Sequence, residues 1–168
     1  EDSRYNDNGA VLPINNTHLE FTGNDHNLGP ATSPLEYNFE CPKTGTYRLG
    51  GRLYQRLEGQ PQDKCNDVYI RMAGNFTSAN SIPTSVLKTN QKFFGRGVDK
   101  WGALYSIDTH DHGQAPVLYN LTEGEIYTFT VSGRAQRTNV DYWILYDNSI
   151  SYTLGAHKDI ASLNDEKY

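Results

Sequence analysis

The sequence predicts an all-β fold, an antiparallel β-sandwich of the jelly-roll type. Three observations carry this expectation. Short segments alternate polar and apolar residues with the period of two that suits a half-buried strand. No window of ten residues shows the 3.6-residue period of an amphipathic helix. Gly, Asn, Asp, Ser, Thr and Pro gather between the alternating segments, where turns need them. Roughly eight to ten short strands joined by turns suit a sandwich or barrel, and no internal repeat suggests a propeller or solenoid.

Taken in order, residues 1–14 are polar and Asn-rich and read as an arm or linker remnant. The sandwich is expected over 15–156, and 157–168 form a polar tail. Thr17–Thr22 alternates and opens the strands, and Gly23–Pro34 reads as a long loop. Leu35–Glu40 sets Leu35, Tyr37 and Phe39 on one half-buried face. Pro42–Gly45 is a turn, after which Thr46–Tyr54 resumes strand character. Asp67–Met72 is the clearest strand, with Val68, Ile70 and Met72 on one side. Gly74–Lys100 reads as the least regular part. Ala103–Ile107, Ala115–Tyr119, Ile126–Val131 and Val140–Tyr146 follow as strands, with Ile150–Leu154 as a short last one. Glu123-Gly124 is a turn signal.

Composition narrows the function classes. The 168 residues suit one domain with one core. A net charge of -5 argues against nucleic acid, which calls for concentrated Lys and Arg. No stretch approaches the ~18 consecutive apolar residues of a membrane span. The chain opens without a signal-peptide pattern, as expected if a leader has been removed or if the chain is excised from a longer protein. There are 12 Tyr, a residue whose apolar ring and polar hydroxyl suit a sugar-facing surface. Cys41 and Cys65 form an even pair, which in an extracellular protein reads first as a disulfide, with two free thiols as the alternative. Three N-glycosylation patterns begin at Asn15, Asn75 and Asn120, a number that so Asn- and Thr-rich a chain produces by chance.

Several side chains are candidates for binding. Trp101 lies between Lys100 and Gly102, in a segment that reads as a loop entering a strand. An exposed indole there can stack on the C–H face of a sugar ring; the alternative is that it caps the core. Tyr54 ends its strand and is a second candidate ring, or an edge residue covering the sandwich. Asn148 offers both a donor and an acceptor to hydroxyls, or is an ordinary turn residue. Arg96 and Lys92 suit a sulfate or uronate, or are simply solvated charges. Trp143, inside an apolar strand, is expected in the core. Asp108, His110 and His112 would share one side of a strand, with Asp111 on the other. Such a string can ligate zinc or act as acid and base, but beside Gly113 it reads as a solvated turn. No nucleophile elbow, HExxH helix, P-loop or dinucleotide fingerprint is present.

Three segments together resemble a known family. The run Tyr37-Asn-Phe-Glu-Cys-Pro-Lys-Thr-Gly-Thr-Tyr-Arg-Leu49 is similar to the hairpin of family 6-like carbohydrate-binding modules. Asp67–Met72 looks like the strand that follows it. Leu121–Arg134 and then Val140–Tyr146 resemble the closing strands of that galactose-binding-like superfamily. The resemblance covers about residues 17–150. It implies a jelly roll that holds a glycan on an aromatic surface, with a Tyr such as Tyr54 facing the Trp, beside a structural calcium. Glu20 and Asp141, with carbonyls from the Asn24–Gly29 loop, would hold that ion; Arg134 is the alternative partner of Asp141, in a salt bridge. The pattern departs from the family at its first strand, which commonly carries two acidic residues where only Glu20 stands here.

The implied protein is a secreted, non-catalytic, monomeric module that targets an attached polysaccharide-degrading enzyme to its substrate. Algal galactans such as agarose are the first ligand class, ahead of β-glucan and xylan. Two other classes stay open. One is a jelly-roll polysaccharide lyase or glycoside hydrolase using His110 or His112; the other is a structural or adhesion domain with no glycan site, which burial of Trp101 and Tyr54 in the core would favour.

Overall fold

The computed structural model describes residues 18–23, 34–98, 100–109 and 113–150. Along the chain run β1 (Leu19–Glu20), β2 (Leu35–Glu40), β3 (Gly45–Gln55), β4 (Asp67–Ala73), β5 (Thr77–Ser78) and a single helical turn, α1 (Thr84–Leu87). There follow β6 (Gln91–Arg96), β7 (Gly102–Thr109), β8 (Gly113–Ala115), β9 (Leu118–Leu121), β10 (Ile126–Gly133) and β11 (Thr138–Asp147). Among the described residues no helix is long and apolar enough to cross a membrane.

The strands form one continuous curled sheet in the order β1-β11-β3-β7-β6-β4-β10-β2. Strand β9 pairs with β3 and β5, and β8 pairs with β7. All the named ladders among the described residues are antiparallel, as in the expected jelly-roll sandwich. The curl brings β11 opposite β6 and β10: the Trp143 ring lies 6.4 Å from Phe93 and 5.5 Å from Phe129. Alternation, with one extra residue at Tyr105 in β7 that brings Leu104 and Ile107 to the same side, explains the filling between the layers. Val68, Ile70 and Met72 of β4, Leu49 and Leu53 of β3, and Leu104 and Ile107 of β7 all point inward and are buried. Each such side chain contributes about 1.5–3 kcal/mol on leaving water.

The structure corrects several expectations. The segment 74–100, read as irregular, contains β5, α1 and a central strand, β6, whose Phe93 is fully buried in the core. Strand β6 escapes a pattern reading because its inward positions are a Phe and a Gly and its outward neighbour is a second Phe, which hides the alternation. Leu35 and Tyr37 are exposed rather than half-buried, because β2 is an edge strand with β10 as its partner. The segment 115–119 is two strands, β8 and β9, separated at Pro116 and Val117; proline has no N–H for a ladder. Ile150 lies in a bend, and the rest of the expected last strand falls outside the described residues, as do the 24–33 loop and both termini.

Cys41 and Cys65 are both buried and are not joined in a disulfide. Topology explains this. Cys41 sits beside the start of β10, its N–H donating to Glu125 and its carbonyl accepting from Gly124. Cys65 precedes Asp67, whose carbonyl meets Ala135 beyond the other end of β10. The eight residues of β10 span about 25 Å at ~3.3 Å each, against the ~7 Å limit for bridged cysteines. The Cys41 thiol donates instead to the Lys43 carbonyl at 3.1 Å.

Candidate functional site

The same alternation that fills the core loads the opposite face of the sheet. With Val68 and Ile70 inward, Asp67 and Tyr69 turn outward. With Phe93 inward, Lys92 and Phe94 turn outward, and with Leu53 inward, Arg52 and Tyr54 do so. Register aligns them: Asp67 with Phe94, Tyr69 with Lys92, Phe94 with Ser106, and Arg52 with Ala103. Arg52, Asp67, Ser106, Thr130, Ser132 and Asn139 are all buried on this non-core side. A solvated outer face would leave such groups wet, so this one is sheltered.

Aromatic rings and charges interleave across it. Trp101 and Tyr54 meet edge to face at 5.6 Å, and the Phe94 and Tyr105 rings lie 6.2 Å apart. The Arg52 guanidinium sits 5.1 Å from the Trp101 ring centre, the Lys92 ammonium 5.6 Å from Phe94, and the Arg134 guanidinium 6.0 Å from Tyr69. Cation–π contacts strengthen from about 0.5–1 kcal/mol when exposed to about 2 kcal/mol when desolvated. These side chains therefore hold one another in place.

Trp101 and Tyr54 form a cluster of their own, separate from the main core, and each is only 8% exposed. His18 approaches Trp101 at 5.8 Å. Arg52 donates to Asp141 at 2.6 Å, and the Asp141 side chain is entirely buried. Asn139, the register partner of Tyr54, donates its amide to the Tyr54 carbonyl at 3.3 Å and the Arg137 carbonyl at 2.9 Å. Two buried polar atoms here have no hydrogen-bond partner among the described residues, the indole Nε1 of Trp101 and Oδ1 of Asn139. One is a donor and the other an acceptor.

Beside this cluster runs a charged network. Arg134 donates to Asp67 Oδ2 at 2.6 Å, and Lys92 bridges Asp67 at 3.5 Å and Asp108 at 3.1 Å. For Arg134, burial works against the charge, but the bond and charge of Asp67 outweigh it and raise its pKa. Tyr142, also near Arg52 and Asp141, is pushed up to about 12 by burial, with Arg52 opposing and Asp141 reinforcing the shift.

The structure sorts the sequence candidates. It brings Trp101 and Tyr54 together, as a sheltered pair. Arg96 is exposed on β6 and bonds Gln62 of the neighbouring loop. Lys92 is a bridging cation of the network rather than a solvated charge. Asn148 lies at the far end of the sheet: its N–H bonds the Thr46 carbonyl at 2.8 Å, about 26 Å along β3 from Tyr54. Trp143 packs on the core as expected and also lines a cleft of about 350 Å³ with Leu19, Tyr37 and Phe129. Asp108 is on β7, while His110, Asp111 and His112 lie outside the described residues. Arg52, Asn139 and Asp67 were missed. Arg52 carried the clearest signal, a charge inside an apolar strand that required a buried partner.

Glu20 and Asp141, the expected calcium ligands, are both engaged in ion pairs, and the Asn24–Gly29 loop expected to complete their site lies outside the described residues. Arg56 bonds Glu20, and Arg52 bonds Asp141, so each carboxylate already faces a guanidinium. Arg134, the other partner considered for Asp141, pairs with Asp67 instead. Among the described residues no three His, Cys, Asp or Glu side chains gather as a metal site would require.

No family model matches the chain, and no curated protein matches its sequence. Among solved structures, it is similar to a family 35 carbohydrate binding module from Clostridium thermocellum. The two share 18% identity over 82% of this chain and 97% of that one, with a TM-score of 0.37. At that score the strand layouts match only loosely, and the functional reading rests on the site itself.

Proposed function

We propose that this chain is a non-catalytic carbohydrate-binding module. One observation carries the reading: on the face turned away from the core, an aromatic pair whose own indole N–H lacks a partner among the described residues sits beside a buried amide oxygen that lacks one too. An apolar ring with a guanidinium, a carboxylate and an amide around it is what a sugar needs, since a sugar shows C–H groups on its faces and hydroxyls at its rim. The module acts by tethering. Held to a polysaccharide, it raises the local substrate concentration of an attached degrading enzyme and does no chemistry itself. Algal galactans such as agarose are the first ligand class, and the module works as a secreted monomer. Modest single-site affinity is expected, because a sheet face buries little of a long ligand.

A second reading has its own support. The 8% exposure of Trp101 and Tyr54 favours a structural or adhesion domain in which the pair only braces β3 against β7. Retention on insoluble agarose, xylan and β-glucan separates the two. The module reading expects retention on one of them, and passage through all three would leave the structural reading in its place.

A further inference from the structure

We infer that a second pocket, at the start of β4, is a subsite for one neutral sugar unit, an inference that rests on the carbohydrate-binding reading. The pocket measures about 330 Å³ and lies between the loop from Gln60 to Asn66 and the turn from Arg134 to Arg137 that joins β10 to β11. That volume is at the lower end of the range for small-ligand sites. None of Trp101, Tyr54, Arg96 or Asn148 lines it.

Asp67 is the centre of the argument. Its side chain is 3% exposed, and its Oδ2 accepts from Arg134 at 2.6 Å and faces Lys92 at 3.5 Å. Its other oxygen, Oδ1, is buried without a hydrogen-bond partner among the described residues. Arg134, Lys92 and Asp67 all line the pocket, so the carboxylate belongs to the pocket wall. An ionised oxygen left so is costly to bury, and a ligand hydroxyl that reaches it through a small shift of the pocket wall removes that cost.

The lining and the groups paired with it bear on the class of ligand. Lys64, Lys92, Arg134 and Arg137 bring four positive charges, and Asp63 and Asp67 bring two negative ones. Just outside the lining, Asp108 pairs with Lys92, and Glu58 is shared between Arg137 and Arg56, so most of these cations already face a carboxylate. Asn66, Gln60 and Gln136 add amides that both donate and accept. Dense donors and acceptors among mostly paired charges suit a neutral polyhydroxylated unit. The loop holding this pocket is tied to the aromatic cluster: Gln55, next to Tyr54, donates to the carbonyls of Gln62 at 3.0 Å and Lys64 at 2.7 Å. One glycan chain can then engage both places.

Amide chemical-shift mapping with neoagarohexaose, xylohexaose and cellohexaose tests this. Asn66, Asp67, Ala135 and Gln136 should shift on titration, together with the residues around Trp101. The double substitution of Asn66→Ala with Gln136→Ala, which leaves the Asp67 ion pairs intact, should weaken binding about tenfold. Asp67→Asn, checked for its melting temperature, should do the same. Shifts confined to the Trp101 region, with affinity unchanged in the double variant, would overturn the subsite and leave the module reading standing. An absence of shifts with all three sugars would overturn both.

Discussion

Arg52 and Asp141 each interrupt an otherwise apolar strand, and the sheet register resolves both by bringing them together. A buried pair of this kind differs from the exposed Lys64–Asp63 contact at 3.7 Å, which is worth about 0–1 kcal/mol. Asp141→Ala strands a buried guanidinium and should cost about 3–5 kcal/mol in urea unfolding. Adding Arg52→Met to that variant should recover most of the loss, whereas a single-variant cost below about 1 kcal/mol would contradict the assigned burial. Part of the site is legible at this scale. Trp101 and Tyr54 stood out as aromatic residues beside glycine and at a strand end, although a core cap and an edge residue explained them as readily. Asn148 stood out for its amide, and it lies at the other end of β3 from Tyr54, because nothing local tells which end of a sheet a turn occupies. Asn139 gave no local signal, since its role comes from lying opposite Tyr54.

Strand β6 sets the limits of reading elements from pattern. Leu35–Glu40 and Asp67–Met72 are clean alternations and match β2 and β4 within a residue. Gln91–Arg96 carries Phe-Phe-Gly in its middle, opposite a bulge in β7 where Tyr105 is the extra residue. Gly95 lets the bulged strand come close. A methyl group there would run into the Ala103 backbone on β7, whereas one at Gly45 would meet only the Tyr47 ring at 3.5 Å, an ordinary contact. Gly95→Ala should therefore cost about 1–3 kcal/mol or more, and Gly45→Ala should stay within about 0.5 kcal/mol. Equal melting temperatures for the two variants would contradict that close approach.

For the whole molecule, the fold class was legible and the layout was not. Turn residues and alternation specify a sandwich, but the order β1-β11-β3-β7-β6-β4-β10-β2 joins strands distant in sequence, and no short window encodes such pairing. The expected disulfide failed for the same reason, because its two cysteines fall at opposite ends of β10. The layout also buries phenols. Burial pushes Tyr142 and Tyr146 up to about 12, with nearby arginines opposing the shift. A raised phenol pKa stabilises the fold fully below the ordinary value near 10 and loses that contribution as pH rises through about 12. Absorbance at 295 nm on alkaline titration should accordingly show a fraction of the 12 tyrosines ionising late, together with unfolding. A single phase near pH 10 covering all of them would contradict the burial of these rings.

The central claim is that the sheltered aromatic face binds a glycan, and a depletion isotherm on the polysaccharide that retains the wild type tests it most directly. Wild type, Trp101→Phe and Trp101→Ala would be compared, with near-ultraviolet circular dichroism to verify that each is folded. The account predicts that folded Trp101→Ala loses about tenfold or more in affinity, while Trp101→Phe, which keeps a ring but lacks the indole N–H, falls between. Equal binding by all three folded proteins would contradict it.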